Sequence, residues 1–214
     1  MADGVNERFD VTAPVPGVDE LGAMHLIAIG GAGMSAVARL LLARGAVVSG
    51  SDVKASAATD ALAALGARVF LGHDPAHLDG VDTVVVSSAV REDNPELVAA
   101  RAHGLRVLHR SQGLAALLPG HRTVAVAGAN GKTTTSAMTT AALAAAGLDP
   151  SFAIGADLPG WDSNAHAGAG IPFVVEADES DGSFLAYRPD VAVVTNVQPD
   201  HLDFYGTFER VQAA

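Results

Sequence analysis

The sequence predicts an α/β protein of two parallel-sheet domains in tandem, and three observations carry that reading. Short, β-branched, uncharged runs alternate with stretches whose apolar residues recur at helical spacing, the pattern of strands buried on both faces between crossover helices. Twice, at 26–41 and at 123–146, such a run breaks into a glycine loop that opens directly into a helix. Between them, Pro119-Gly120 interrupts the chain just ahead of the second loop. The expected organisation is a flexible arm over 1–22, carrying Pro14, Pro16 and Gly17, then a first domain over 23–120 and a second over 121–214.

Composition bounds what such a protein does. The 214 residues suffice for two ordinary domains, and 49% hydrophobic against 17% charged residues supply cores for both. With 13 basic and 24 acidic residues the formal charge is −11, which disfavours a nucleic-acid partner. Any phosphate must therefore be held locally, by loops. The absence of cysteine excludes disulfides and thiolate metal sites. No apolar run reaches the length of a membrane span, and MADGVNERFD lacks the basic start and apolar core of a signal peptide. A soluble, cytoplasmic protein is expected.

In the first domain, Leu26–Ile29 reads as a buried strand that Gly30-Gly31-Ala32-Gly33 turns into a helix. The helix shows Met34, Val37, Leu40 and Leu41 on one face and ends at Gly45. A second strand follows at Val47–Ser49. The turn reads G-x-G-x-x-A through Gly31, Gly33 and Ala36, with Asp52 about twenty residues on, the fingerprint of a Rossmann-like, nucleotide-diphosphate-binding fold. A short helix over Asp60–Leu65 precedes a strand at Arg68–Leu71, and Thr83–Ser87 forms the next. That strand delivers Ser87, Ser88 and Ala89 to its carboxyl end, where ligands of open parallel sheets sit; the two serines read equally as ligand contacts or as strand-end polar residues. Asn94 and Pro95 are the cap and first position of a helix to His103, followed by a strand at Arg106–Leu108 and a helix over Ser111–Leu118.

The second domain opens on the strand Thr123–Ala127. Gly128 ends it, Gly131 lets successive N–H groups turn inward, and the following helix adds its positive end, so backbone alone holds an anion. Lys132 adds a compact charge for the outer phosphates, and the Thr133 hydroxyl suits Mg²⁺. The loop is a shortened P-loop, G-x-N-G-K-T, because Val126 stands where the strict pattern has its first glycine. An ATP site over Gly128, Ala129, Asn130, Gly131, Lys132, Thr133 and Thr134 is expected, on a P-loop ATPase-type α/β domain. The helix runs over Thr133–Ala146, a strand over Ser151–Ile154, and 155–170 is a polar, glycine-rich loop. Within it, Asn164 has the amide to hold a sugar or carboxylate, although such a loop also serves as a mere connector. The strand Pro172–Val175 runs into Glu176-Ala177-Asp178-Glu179-Ser180-Asp181, and acids at the carboxyl end of a strand beside a P-loop are placed to hold Mg²⁺. Glu176 is the leading candidate; Asp178 and Asp181 read better as solvated. After Val191–Thr195, His201 is a candidate ligand for a second metal, with Asp200 or Asp203 orienting its ring.

Five stretches together resemble one family, the Mur ligases of cell-wall synthesis: HLIAIGGAGMSAVA, SSAVREDNPE, AVAGANGKTTT, VVEADESDGSFL and TNVQPDHLDFYG. The resemblance implies an ATP-dependent ligase that joins L-alanine to the lactyl carboxylate of UDP-N-acetylmuramate through an acyl phosphate, with ATP and Mg²⁺ as cofactors. Carried over by position, it implies that Gly31, Ala32, Gly33, Met34, Ser35, Asp52, Ser87, Ser88 and Ala89 surround the uridine diphosphate, with Asn164 near the muramyl group. It further implies Lys132 on the γ-phosphate and Thr133, Glu176 and His201 as metal ligands, making Lys132, Glu176 and His201 the catalytic set. Departures from the family pattern are Asn130 for a usual His, Ala129 for a usual Thr, and Gln198 for a usual acid. The family's remaining ATPase segment and amino-acid domain would lie beyond Ala214, so the 214-residue chain is expected not to turn over alone. Competing readings are a recycling ligase that adds a whole peptide to the same UDP-sugar, a non-catalytic UDP-sugar-binding module, and a NAD(P)-dependent oxidoreductase, which would leave Lys132 and Thr133 without a role.

Overall fold

The computed structural model describes residues 8–214. The described chain divides into two compact units, one of 15–117 and one of 118–214 together with residues 8–14. The flexible arm expected over 1–22 needs correction. Residues 1–7 lie outside the described residues, but Phe9, Val11 and Leu21 are buried, at 7%, 1% and 0% exposure. The Leu21 carbonyl accepts a hydrogen bond from Thr83 Oγ1 at 2.7 Å, and apolar side chains tied down in this way do not behave as a loose tail.

The unit of 15–117 is an α/β sandwich. Its strands are β1 (Met24–Ile27), β2 (Val48–Asp52), β3 (Arg68–Leu71), β4 (Thr83–Val86) and β5 (Arg106–His109), and its helices are α1 (Ala32–Ala43), α2 (Ala57–Ala64), α3 (Pro95–Ala102) and α4 (Arg110–Ala115). The sheet order is β3-β2-β1-β4-β5 and each adjacent pair is parallel. This is the Rossmann-like order, and the chain reverses its direction of winding between β1 and β4. β1 and β4 are buried along their whole length, as uninterrupted apolar runs require. α2 begins three residues earlier than the sequence reading. Ser56 and Thr59 exchange capping hydrogen bonds, a box in which threonine replaces the usual acid.

One feature of this unit left no trace in apolar periodicity. Glu96, on α3, is fully buried and gathers His25 of β1 at 3.4 Å, His73 at 2.9 Å and His77 at 2.7 Å, together with the Ser51 hydroxyl of β2. Burial pushes its carboxyl up, but the close approach of His25 and the hydrogen bonds from Ser51 and His77 outweigh it and hold the group at about 2.

The second unit carries β6 (Arg122–Ala127), α5 (Lys132–Ala145), β7 (Ser151–Leu158), β8 (Ser163–His166), β9 (Pro172–Glu176), β10 (Val191–Val194), α6 (Leu202–Tyr205) and α7 (Phe208–Ala213). Its sheet order is β10-β6-β9-β7-β8, parallel except for the β7–β8 pair. The expected loop at 155–170 is largely a hairpin: β7 continues to Leu158 through an irregular register and β8 returns antiparallel to it. Trp161 at the turn packs on the cluster of Phe152, Ile154, Leu158 and Val174, and this burial holds a stretch of weak strand propensity in strands. The registers Val126↔Glu176 and Val194↔Ala127 bring the carboxyl ends of β6, β9 and β10 side by side.

Candidate functional site

In the first unit the glycine loop links β1 to α1, with Gly31 as the extended N-cap. The N–H groups of the opening turn of a helix have no partner within it, so they are available to an anion. Asp52, the last residue of β2, turns toward the loop, and its Oδ2 accepts from Gly30 N at 2.9 Å. Beyond β4, Ser87 is half-buried and Ser88 and Ala89 are exposed; Ser88 Oγ lies 3.1 Å from His109 Nε2 at the end of β5. The structure therefore gathers Gly31–Gly33, Asp52 and Ser87–Ala89 at the carboxyl edge of one sheet. Met34 and Ser35 depart from expectation. They are buried at 3% and 5%, and Ser35 donates its N–H to Gly31 O and its hydroxyl to Ala32 O. These side chains serve the helix and the core. Arg110, absent from the expected set, lies against Gly33, with its Cδ and Cζ 3.0 and 3.1 Å from where a Cβ would stand. Its only sequence signal is a basic residue just past the fifth strand.

In the second unit Gly131, at φ 84°, is the N-cap of α5. Gly128, at φ 127°, packs so closely that a Cβ there would collide with Thr195 Oγ1 and approach Asn196 O at 2.8 Å. Lys132 Nζ donates to Gly128 O at 2.8 Å and to Glu179 Oε1 at 2.9 Å. Thr133 Oγ1 donates to Glu176 Oε1 at 3.1 Å, while Gly155 N fixes the other Glu176 oxygen at 2.8 Å. Asn130 is held by three residues beyond β10: its N–H by Asn196 Oδ1, its carbonyl by Thr195 Oγ1 and Asn196 Nδ2, and its amide by Gln198 Oε1 at 3.2 Å. The two departures at 130 and 198 are thus hydrogen-bonded to each other. A cavity of about 220 Å³ adjoins the loop, lined in part by Gly128, Ala129, Glu179, Gln198 and His201.

The donor set fits Mg²⁺ at Thr133 and Glu176. A hydroxyl and a carboxylate oxygen already share one spot, and Mg²⁺ takes few protein oxygens and completes its shell with phosphate and water. Among the described residues no cluster of three or more His, Asp or Glu forms a metal cage. His201, expected as a ligand for a second metal, faces Glu179: its Nε2 is 3.7 Å from Glu179 Oε1 and 3.9 Å from Asp200 Oδ2. Of the acids expected to orient the ring, Asp200 is the one that meets it. Glu179, which nothing in the sequence singles out from the neighbouring acids, is the hub of the site. It takes Lys132 and His201 on one oxygen, its other oxygen is buried without a hydrogen-bond partner among the described residues, and its carbonyl accepts from Tyr205 Oη at 2.6 Å. Burial and the nearby Glu179, Asp181 and Asp178 push the Tyr205 hydroxyl up to about 12, so it stays a donor. Asp178 and Asp181 each accept a backbone N–H two residues on and shape the turn. Asn164 also departs from expectation: it stands on β8 in the P-loop unit, buried at 8%, rather than in an open loop.

Two family models match the chain in series, the catalytic domain of the Mur ligase family over 23–122 and the Mur ligase middle domain over 126–214. A UDP-N-acetylmuramate–L-alanine ligase of Kineococcus radiotolerans is 60% identical over 94% of this chain and 44% of its own length. One of a Nocardioides species is 58% identical over 97% and 46%. This chain therefore spans under half the length of the curated relatives it matches. Among solved structures, a UDP-N-acetylmuramate–alanine ligase of Thermotoga maritima is 34% identical with a TM-score of 0.82, over 89% of this chain and 45% of that one. A UDP-N-acetylmuramate:L-alanyl-γ-D-glutamyl-meso-diaminopimelate ligase of Neisseria meningitides is 32% identical with the same TM-score of 0.82, over 90% and 66%. With both models in sequence order and relatives of this identity along nearly all of its length, the chain belongs to the Mur ligase family.

Proposed function

We propose that this chain supplies the UDP-sugar and ATP sites of a ligase of peptidoglycan precursor synthesis that joins L-alanine to the lactyl carboxylate of UDP-N-acetylmuramate. One observation carries the ATP half. Lys132 and Thr133, adjacent at the start of α5, each meet a carboxylate across the loop, Glu179 and Glu176, so a cation and an oxygen-ligand pair stand together at a helix N-terminus. The names of the 60% and 58% identical relatives support the choice of substrates.

On this reading the unit of 118–214 binds ATP and that of 15–117 the UDP-sugar. Backbone N–H groups of Gly128–Thr134 would wrap the β- and γ-phosphates, and Lys132 would leave Glu179 for the γ-phosphate. Thr133 and Glu176 would hold Mg²⁺, and His201 a second ion near Glu179. Bound there, the metal supplies neutralisation of phosphoryl charge. The lactyl carboxylate attacks the γ-phosphorus and ADP leaves; the amine of L-alanine then attacks the acyl phosphate and expels phosphate. Lys132 stays on the transferring group throughout, where charge builds up.

Calorimetric titration of this chain tests the two-site assignment. Lys132→Ala is expected to weaken ATP binding about 10- to 100-fold, the range of one charge-assisted hydrogen bond. UDP-N-acetylmuramate affinity should stay within about twofold, since its site lies on the other unit's glycine loop. Equal loss of both ligands would sink the assignment. A ligase for a whole peptide is the second reading, favoured by the Neisseria structure's equal TM-score of 0.82. ADP release by the full-length enzyme with L-alanine against that with the tripeptide acceptor separates the two.

A further inference from the structure

Arg110 brings the first unit something that no residue expected at its glycine loop provides, a positive charge. Gly31–Ser35, Asp52 and Ser87–Ala89 contain an acid and no cation. A nucleoside diphosphate carries a charge on each phosphate, whereas the start of a helix offers roughly half an elementary charge. Backbone alone leaves a deficit there, and Asp52 deepens it.

The position of Arg110 is built by its neighbours. β5 ends at His109, which is buried at 1%. Its Nδ1 accepts from Ser111 N at 3.2 Å, so in the neutral ring the proton sits on Nε2, which donates to Ser88 Oγ at 3.1 Å. The imidazole thus ties the end of β5 both to α4 and to the segment beyond β4. The next residue, Arg110, is carried against Gly33 in the first turn of α1. The two are in close contact: a Cβ at 33 would overlap the Arg110 guanidinium, so any larger residue there would displace the arginine. On the opposite flank, a Cβ on Gly30 would stand 2.9 Å from Asp52 Oδ2. The loop therefore lies between an acid at its Gly30 end and a guanidinium at its Gly33 end.

We propose that Arg110 binds the diphosphate of the UDP-sugar, and that this charge polarity orients the ligand, with the ribose or uracil at Asp52 and the diphosphate between the start of α1 and Arg110. The inference rests on the UDP-sugar reading of the first unit. A guanidinium donates two parallel hydrogen bonds to phosphate oxygens, a geometry that an ammonium does not reproduce. A carboxylate accepts from ribose hydroxyls or the base and repels phosphate, so the reversed orientation would set like charges together.

The test is a calorimetric series on this chain with uridine, UMP and UDP as probes. Arg110→Gln should cost UDP about 10- to 100-fold in affinity, the range of one charge-assisted hydrogen bond, while uridine stays within about twofold. Arg110→Lys should recover part of the UDP affinity, and Arg101→Gln, which removes an equal charge from the exposed face of α3, should leave UDP binding within about twofold. Equal losses for uridine and UDP would make Arg110 a packing residue and overturn the proposal, as would unchanged UDP binding in Arg110→Gln. The thermal midpoint of each variant separates misfolding from lost contact, and if Arg110→Gln unfolds, the Arg110→Lys loss on UDP relative to uridine decides the matter. Wild-type protein that binds none of the three probes would instead overturn the UDP-sugar reading itself.

Discussion

Glu96 and Glu179 are both glutamates that meet histidine, three at Glu96 and one at Glu179, and their surroundings differ. Glu96 is fully buried; His73 and Ser51 meet one oxygen, and His77 and His25 meet the other. Glu179 is 13% exposed beside a cavity, with Lys132 and His201 sharing one oxygen and the other buried without a partner among the described residues. A charge whose partners are complete costs much to disturb and has nothing to offer a ligand. One whose partners are incomplete is poised to exchange them. The histidines themselves do not distinguish the two sites; saturation does.

The largest effect that would break this contrast is on stability. Glu96→Ala leaves His73, His77 and Ser51 without their acceptor and His25 without its carboxylate neighbour, and removing one member of a buried ionic cluster costs about 3–5 kcal/mol. Urea unfolding of the 214-residue chain measures it, and a loss below about 1 kcal/mol would mean the cluster is no lock.

Acid should act on the same group. The Glu96 carboxyl lies at about 2 in the folded chain against an ordinary 4.5, so its contribution is complete above pH 4.5 and is lost as pH falls toward 2. The gap in unfolding free energy between wild type and Glu96→Gln should accordingly be flat above pH 4.5 and shrink below it.

For Glu179 the expectation reverses. Glu179→Gln keeps an oxygen for Lys132 and should alter stability by about 1 kcal/mol. It removes the carboxylate that competes with phosphate for the ammonium, so Mg²⁺-free ADP should bind about fivefold more tightly, a gain of roughly 1 kcal/mol. Weaker ADP binding in titration would show that Glu179 supports the bound nucleotide and would erase the contrast. The smallest effect belongs to Asn130 and Gln198, joined by an exposed 3.2 Å hydrogen bond. Gln198→Ala should change ATP affinity by less than about threefold; a tenfold loss would move this pair into the phosphate site.

Legibility in the sequence followed the range of the interaction. Strand–glycine–helix units at both loops could be read because each is written in consecutive residues, as was the cap at Asn94-Pro95. Lys132 and Thr133 were legible for the same reason. Arg110 was not, since the first loop takes its guanidinium from the end of another strand, and only the sheet order β1-β4-β5 brings that strand near. Glu179 was obscured by a run of acids alike in sequence; the fold turns Asp178 and Asp181 to backbone N–H groups and leaves Glu179 to Lys132. The hairpin at β7–β8 escaped because its glycines and polar residues have little strand propensity of their own, and Trp161 packing overrides that.

By itself the sequence determined the two α/β units, the two glycine loops and the cation and hydroxyl of the second. Those features depend on local backbone chemistry: strand burial, glycine's access to unusual φ, and the unpaired N–H groups of a helix start. Tertiary structure alone decided which charges are satisfied and which remain available. Pairing of Glu96 with histidines from separate elements, of Glu179 with Lys132, and the seat of Arg110 at Gly33 all join residues far apart in the chain. Coulombic and hydrogen-bonding partners act through distance in space, and sheet topology sets that distance.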